Sequence, residues 1–435
     1  MVPALQLVPL PPSLWTALPG RAPAMEAFQL LGQGLPWMPL SLSPRATWLS
    51  ALSLLPPIAI FLATLLIGYR ERRTLSLILV GFGVLSAFVG LAQIAEGSSS
   101  SLRFFAITNP SEAVGFFANR NHFAAALYAF TAFAAAWVVE AAEPPPRGHT
   151  RLETRWIVPV LAGLTVLVVL VAAQAMARSR AGLGFTVAAL VGATAIALLD
   201  RRNASGLTPA KLLLATAAGA VIYATQFALY RILDRFAADP MTDSRLTIAR
   251  LTSEAAERYL PFGSGMGTFV PVYGMHERAA DALPDTYINR AHNDFLELWL
   301  ETGVAGLVLA AAVLLWLAGR FVRLWRREAP GMDIDLSLAR AATIVIVLIG
   351  AHSLVDYPLR TGAIMAIAAF SCGLLIAPLT GRLEELSDRR RAAGKARTEK
   401  APAHRPVDLQ HADAPVSQHP PERWGKHIEW PNEWR

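Results

Sequence analysis

The chain has 435 residues, 54% of them hydrophobic and only 16% charged, where soluble domains carry roughly 25% charged residues. The charges collect in short runs between apolar stretches of about twenty residues, long enough as helices to cross a hydrocarbon core of about 30 Å. That excludes a soluble globular protein, and the net charge of +7 reads as basic flanks of membrane helices rather than as a nucleic-acid surface.

In chain order, residues 1–47 contain Pro9, Pro11 and Pro12 and read as an irregular segment. Nine apolar stretches follow: Trp48–Tyr69, Thr74–Ala95, His122–Glu140, Trp156–Ala177, Ala181–Leu199, Lys211–Tyr230, Glu297–Gly319, Leu338–Tyr357 and Thr361–Leu379. No water reaches the bilayer centre, so each stretch must satisfy its backbone internally as a helix. The expected fold is an all-α polytopic membrane protein with one long loop, residues 231–295. The lone cysteine, Cys372, allows no intramolecular disulfide and no cysteine-based metal cluster. Residues 381–435 are rich in Pro, Ala and mixed charge without periodicity, and read as a disordered tail.

Charge sets the orientation. Arg70, Arg72, Arg73, Arg147, Arg151, Arg155, Arg201, Arg202, Lys211, Arg320, Arg323, Arg326, Arg327 and Arg340 fall on one side, against Arg103, Arg120, Arg178, Arg180 and Arg360 in the short loops of the other. The richer side is cytoplasmic, which puts the long loop and residues 1–47 outside and the tail inside. A translocated N-terminal segment with no helix ahead of it raises the expectation of membrane helices upstream of Met1.

Four polar groups stand out at the extracytoplasmic ends. Arg178-Ser179-Arg180 joins two apolar spans; it is either a polar hairpin tip or an anion site, for which planar five-donor guanidiniums are suited. Asn119, Arg120, Asn121 and His122 follow Phe116 and Phe117 at the entrance of the third span. They either cap the helix or face a ligand. In Arg290-Ala291-His292-Asn293-Asp294-Phe295-Leu296-Glu297, Asp294 and Glu297 have the spacing of a capping box, with His292 just outside the helix. Histidine accepts a proton near neutral pH. Glu301 lies about 10 Å deeper by helical rise, and an intramembrane carboxylate points to function; pairing with a neighbouring helix is the plainer account. Finally, Asp243-Ser244-Arg245 opens an amphipathic stretch through Tyr259, followed by Pro261-Phe262-Gly263-Ser264-Gly265-Met266-Gly267. These glycines permit a tight turn and close approach to a ligand.

Two motifs carry less. Asp333-Ile334-Asp335 has the DxD form of metal-dependent glycosyltransferases, but it sits where acids favour a helix start. His352 and Asp356 lie one turn apart; one histidine and one carboxylate make no metal site, and a supporting or packing role fits them better.

Together FFANRNHFAA, the SRAG turn, SRLTIAR with PFGSGMGTF, and AHNDFLELWLETGVAGL resemble the O-antigen ligase and polymerase family of bacterial membrane glycosyltransferases. The resemblance runs from QLVPLPPSLW through HSLVDYPLR. It implies a GT-C-like transmembrane catalytic domain over residues 48–380 in the inner membrane, with its site facing the periplasm. It implies an undecaprenyl-pyrophosphate-linked glycan as donor, lipid A core or a second lipid-linked glycan as acceptor, and no metal, cofactor or nucleotide sugar. By the same resemblance Arg180 and Arg245 hold the pyrophosphate, His292 is the base, and Arg120 is a looser phosphate contact, with Asn119, Arg178 and Glu301 as further substrate-binding candidates. Ligase and polymerase are not separated by these motifs. A flippase or other transporter remains an alternative, distinguished by discontinuous helices and polar groups at mid-bilayer.

Overall fold

The computed structural model describes residues 1–142, 154–199, 211, 213–216, 218–219, 240–282, 287–327 and 333–379. Among these, seven helical segments are long and apolar enough to span a membrane: Pro44–Leu66, Tyr69–Glu96, Arg120–Ala141, Ile157–Ala177, Arg180–Leu199, Asp294–Arg326 and Ile334–His352. A further apolar helix, Gly362–Leu374, is shorter. Of the expected span Lys211–Tyr230 only residues 211, 213–216 and 218–219 are described, and the tail from Gly381 lies outside the described residues.

The helix Arg120–Ala141 is buried along nearly its whole length. Its sequence explains this: nine alanines let neighbouring backbones approach closely, and Phe123, Tyr128, Phe130 and Phe133 fill what remains. The helices Tyr69–Glu96, Thr154–Ala177, Arg180–Leu199 and Ile334–His352 pack around it. Outward faces of the surrounding helices present Leu62, Leu85, Val168, Leu309 and Leu315, as lipid contact requires.

Residues 1–47 are more ordered than their prolines suggest. Short helices Val2–Gln6, Pro12–Trp15 and Ala22–Leu30 are joined by an antiparallel pair, Pro9–Leu10 with Met38–Pro39. Proline sits at the first positions of all three helices, where its missing N–H is no loss. Trp15 is fully buried against Phe28, and its indole N–H donates to the Pro36 carbonyl.

The long helix Asp294–Arg326 departs from expectation, because it is broken at Gly303 (φ 57°, ψ −144°). The glycine-rich turn 261–267 repairs the break. Ser264 N–H donates to Leu300 O at 2.9 Å, Gly265 N–H to Glu301 O at 2.9 Å, and Val304 N–H to Pro261 O at 2.9 Å. Gln6 adds its amide to Glu301 O (2.8 Å), while its own oxygen accepts from Met266 N–H. A side chain at Gly263 or Gly303 would collide with the facing backbone, and both have positive φ. The close approach expected of these glycines is therefore to the broken helix.

Candidate functional site

Polar side chains converge where the helices Arg120–Ala141, Asp294–Arg326 and Ile334–His352 end together. His292 precedes the helix cap and takes a left-handed conformation, φ 51°, which a non-glycine residue adopts at a cost of about 1–3 kcal/mol. The capping differs from the sequence expectation. Asn293 is the N-cap and accepts from Phe295 N–H and Leu296 N–H, both at 3.0 Å. Asp294 and Glu297 are thereby released for other partners.

His292 Nδ1 lies 3.3 Å from Asp356 Oδ1. A carboxylate only accepts, so Nδ1 carries the proton and Nε2 presents its lone pair outward. Asp356 is itself fixed: Asn121 donates to Oδ2 at 2.6 Å and Tyr357 N–H to Oδ1 at 2.9 Å. Burial alone would raise this carboxyl, but the hydrogen bond from His292 and the charges of His292, His122 and His352 hold it below the ordinary carboxylate range. The Tyr357 ring stands between two imidazoles, 5.0 Å from His292 and 4.9 Å from His122, both edge-on. His122 Nδ1 shares a 2.9 Å hydrogen bond with Thr361 Oγ1, and Asn119 bonds the Tyr357 hydroxyl while capping its own helix at Asn121 N–H.

A buried ionic network locks this geometry. Arg360, in the turn after Tyr357, reaches Glu301 Oε2 at 2.8 Å, Glu297 Oε1 at 3.5 Å and Asp294 Oδ1 at 3.6 Å. Burial works against its charge, but the carboxylates outweigh burial and hold Arg360 above the ordinary guanidinium range. Arg290 grips the same Glu297 oxygen at 2.7 Å, and Glu297 Oε2 accepts from Ala291 N–H. Asp294 Oδ2 accepts from Ser353 Oγ and Leu359 N–H. The turn carrying Asp356 is thus bolted to the helix start carrying His292.

The remaining sequence candidates distribute around this centre. Arg178 (φ 50°) and Arg180 are exposed on the turn between Ala177 and the next helix, whose Gly182 N–H is capped by Ser179 Oγ. Phe185, little more than a turn further, packs its ring 5.3 Å from His352. Arg245 is half-buried on the helix Pro240–Arg258, with a buried Nε that has no acceptor among the described residues, and its charge reaches His352. Arg120 pairs with Glu112 at 2.6 Å. Glu301 is fully buried on Arg360.

From sequence, Asp356 had no assigned partner, Asn121 was a cap or ligand candidate, and Tyr357 and Arg360 were not singled out as parts of a site. The available signal was His352-Ser353-Leu354-Val355-Asp356-Tyr357-Pro358-Leu359-Arg360, a polar run at the same membrane face as His292.

Residues 164–311, which include Arg180, Arg245, the glycine turn and His292, match a family model described as O-antigen ligase. Over this segment the chain is similar to the O-antigen ligase family. No curated protein matches the chain. The seven apolar helices fit a multi-pass membrane protein, and the matched family suggests glycan transfer of the ligase or polymerase type. Asn119, Arg120 and Asp356 lie outside the matched stretch, and it is the fold that brings Asp356 against His292.

Proposed function

We propose that this O-antigen ligase relative transfers a glycan from an undecaprenyl-pyrophosphate carrier to an acceptor hydroxyl at the periplasmic face, without metal and with inversion. The observation that carries this reading is the Asp356–His292 pair, with Arg245 of the loop helix acting on the neighbouring His352. His292 Nε2 takes the acceptor's proton as the hydroxyl oxygen attacks the anomeric carbon, and the bond from that carbon to the diphosphate oxygen breaks. Attack opposite the leaving group inverts the centre. Diphosphate is already a good leaving group, so the protein chiefly neutralises growing charge, the task of Arg180 and Arg245. Arg178 and Arg120 extend the basic rim, and Asn119 holds the Tyr357 hydroxyl. Glu301, sealed against Arg360, positions the turn from below.

A transporter also uses broken helices, and Gly303 is such a break. It lies only ten residues past the N-cap, and its freed carbonyls are taken by Ser264, Gly265 and Gln6. The break is therefore closed by protein rather than open to a transported ion, which favours the enzyme. The test uses purified protein with lipid-linked donor and acceptor. His292→Gln and His292→Ala should each lose turnover by about 10²–10⁴-fold while donor binding persists. Wild-type rates in His292→Gln would remove the base from this mechanism.

A further inference from the structure

A second arginine site lies in the N-terminal segment. Arg21, at the start of the helix Ala22–Leu30, is only 2% exposed. Its Nε and Nη1 have no hydrogen-bond acceptor among the described residues. Among the described residues the group acting on it electrostatically is the Tyr259 phenol, and no carboxylate contributes. Such a guanidinium is expensive, since burying an unpaired charge costs several kcal/mol in effective terms, and burial indeed lowers its pKa. Chain folding brings the contact about: Gly20 has φ 76°, and the Tyr259 ring occupies the space a Cβ there would need.

Tyr259 closes the helix Pro240–Arg258 and is itself 4% exposed. Its hydroxyl lies within charge reach of both Arg21 and Arg258, and His276 stacks edge-on at 6.4 Å. The result is two guanidiniums and a phenol donor, contributed by two distant stretches of chain, without a compensating acid among the described residues. Arg103, Arg120, Arg290 and Arg360, by contrast, all have carbonyl or carboxylate acceptors.

We propose that Arg21, Arg258 and Tyr259 form an oxyanion site that takes a phosphate group, separate from the His292–Asp356 centre. Guanidinium offers paired donors to phosphate oxygens, and the phenol supplies a third. Phosphate could arrive on a phosphorylated saccharide or on a lipid headgroup; the chemistry at Arg21 is the same. The site also explains why the N-terminal segment is packed against the long loop through a charged residue rather than an apolar one.

The experiment uses the full chain in phosphatidylcholine nanodiscs, titrated with inorganic phosphate, glucose 6-phosphate and glucose, with a parallel set in phosphatidylglycerol nanodiscs. Phosphate and glucose 6-phosphate should raise the thermal midpoint, and glucose should not. In an Arg245→Gln background, which removes the proposed diphosphate grip, Arg21→Gln should weaken that response by about tenfold or more and Arg258→Gln by about threefold. In phosphate-free buffer and neutral lipid, Arg21→Met should melt at or above wild type, because an uncompensated buried charge has been removed; added phosphate should reverse that order. An Arg21-dependent gain seen only with phosphatidylglycerol assigns the phosphate to a headgroup, and one seen with soluble phosphate assigns it to a saccharide. If Arg21→Gln does not fold, Arg258→Gln decides. A response that survives both Arg21→Gln and Arg258→Gln, a response abolished by Arg245→Gln alone, or no response in wild type overturns the site.

Discussion

Both ends of the helix bundle bury arginines, yet they use them differently. At the end expected to face the cytoplasm, Arg72 donates to the carbonyls of Thr64 (2.9 Å) and Ile376 (2.6 Å), Arg340 to those of Leu324 and Arg327, and Arg320 to that of Leu375. These carbonyls lie at or near helix C-termini, where four groups per helix lack partners and the dipole favours a cation. At the other end Arg360 is enclosed by three carboxylates, and beside it an imidazole is paired with an aspartate. The first arrangement completes backbone hydrogen bonding and has no proton to move. The second holds a histidine in one tautomer with its free nitrogen outward. Arginine content therefore says little about function; its partners decide.

Substitution at the two ends should separate these roles. The largest effect is expected at the arginines proposed to grip the diphosphate. Arg180→Lys and Arg245→Lys keep the charge but lose the two-pronged fork, and transfer should fall by about 10²-fold each with membrane insertion intact. Arg72→Lys and Arg340→Lys, made in parallel, should cost about 1 kcal/mol of stability through lost carbonyl bonds and leave turnover per folded molecule unchanged. Near-normal transfer in both members of the first pair would erase the distinction between the ends.

Asp356 sharpens the comparison through pH. Its folded pKa is depressed, so its contribution to stability is present above the unfolded value of about 3.9 and fades as pH falls through the folded value. Wild-type melting temperature should drop as pH falls below about 4 by more than that of Asp356→Asn, since Asn cannot titrate. The same variant should slow transfer by about tenfold or more, because His292 loses the partner that fixes its tautomer. Equal acid sensitivity of the two proteins would show that the pair is not formed in solution.

Gly303 should give the smallest effect on chemistry. Gly303→Ala places a Cβ at positive φ against the Pro261 carbonyl, which should lower stability by roughly 1–2 kcal/mol or more. Donor binding by the folded fraction should persist. A variant as stable as wild type would mean that the helix runs unbroken there.

The DxD motif illustrates how far local reading reaches. Asp333 caps its helix at Asp335 N–H and Leu336 N–H, as its position implied, whereas Asp335 forms a two-pronged pair with Arg73 at 2.8 and 2.6 Å. The cap follows from neighbours in sequence; the pair joins residues more than 260 positions apart. Glu301 divides in the same way. Its depth along a helix was legible, but its burial on Arg360 was not.

From sequence alone came the apolar spans, the uneven distribution of arginine between the two sides, the placing of Arg180 and His292 at span ends, and that of Arg245 on an amphipathic stretch of the long loop. Each depends on the local run of residues: hydropathy and charge are properties a window of about twenty residues already contains. Tertiary structure alone decided that Asp356 faces His292 across 64 positions, that Asn121 reaches the same carboxylate across 235, and that a glycine turn near 263 mends a helix broken at 303. Charge and hydrogen-bonding capacity are carried by each residue separately, so every buried acid or imidazole has many eligible partners in the chain. Only the packing of helices against the alanine-rich central one brings a single partner within reach.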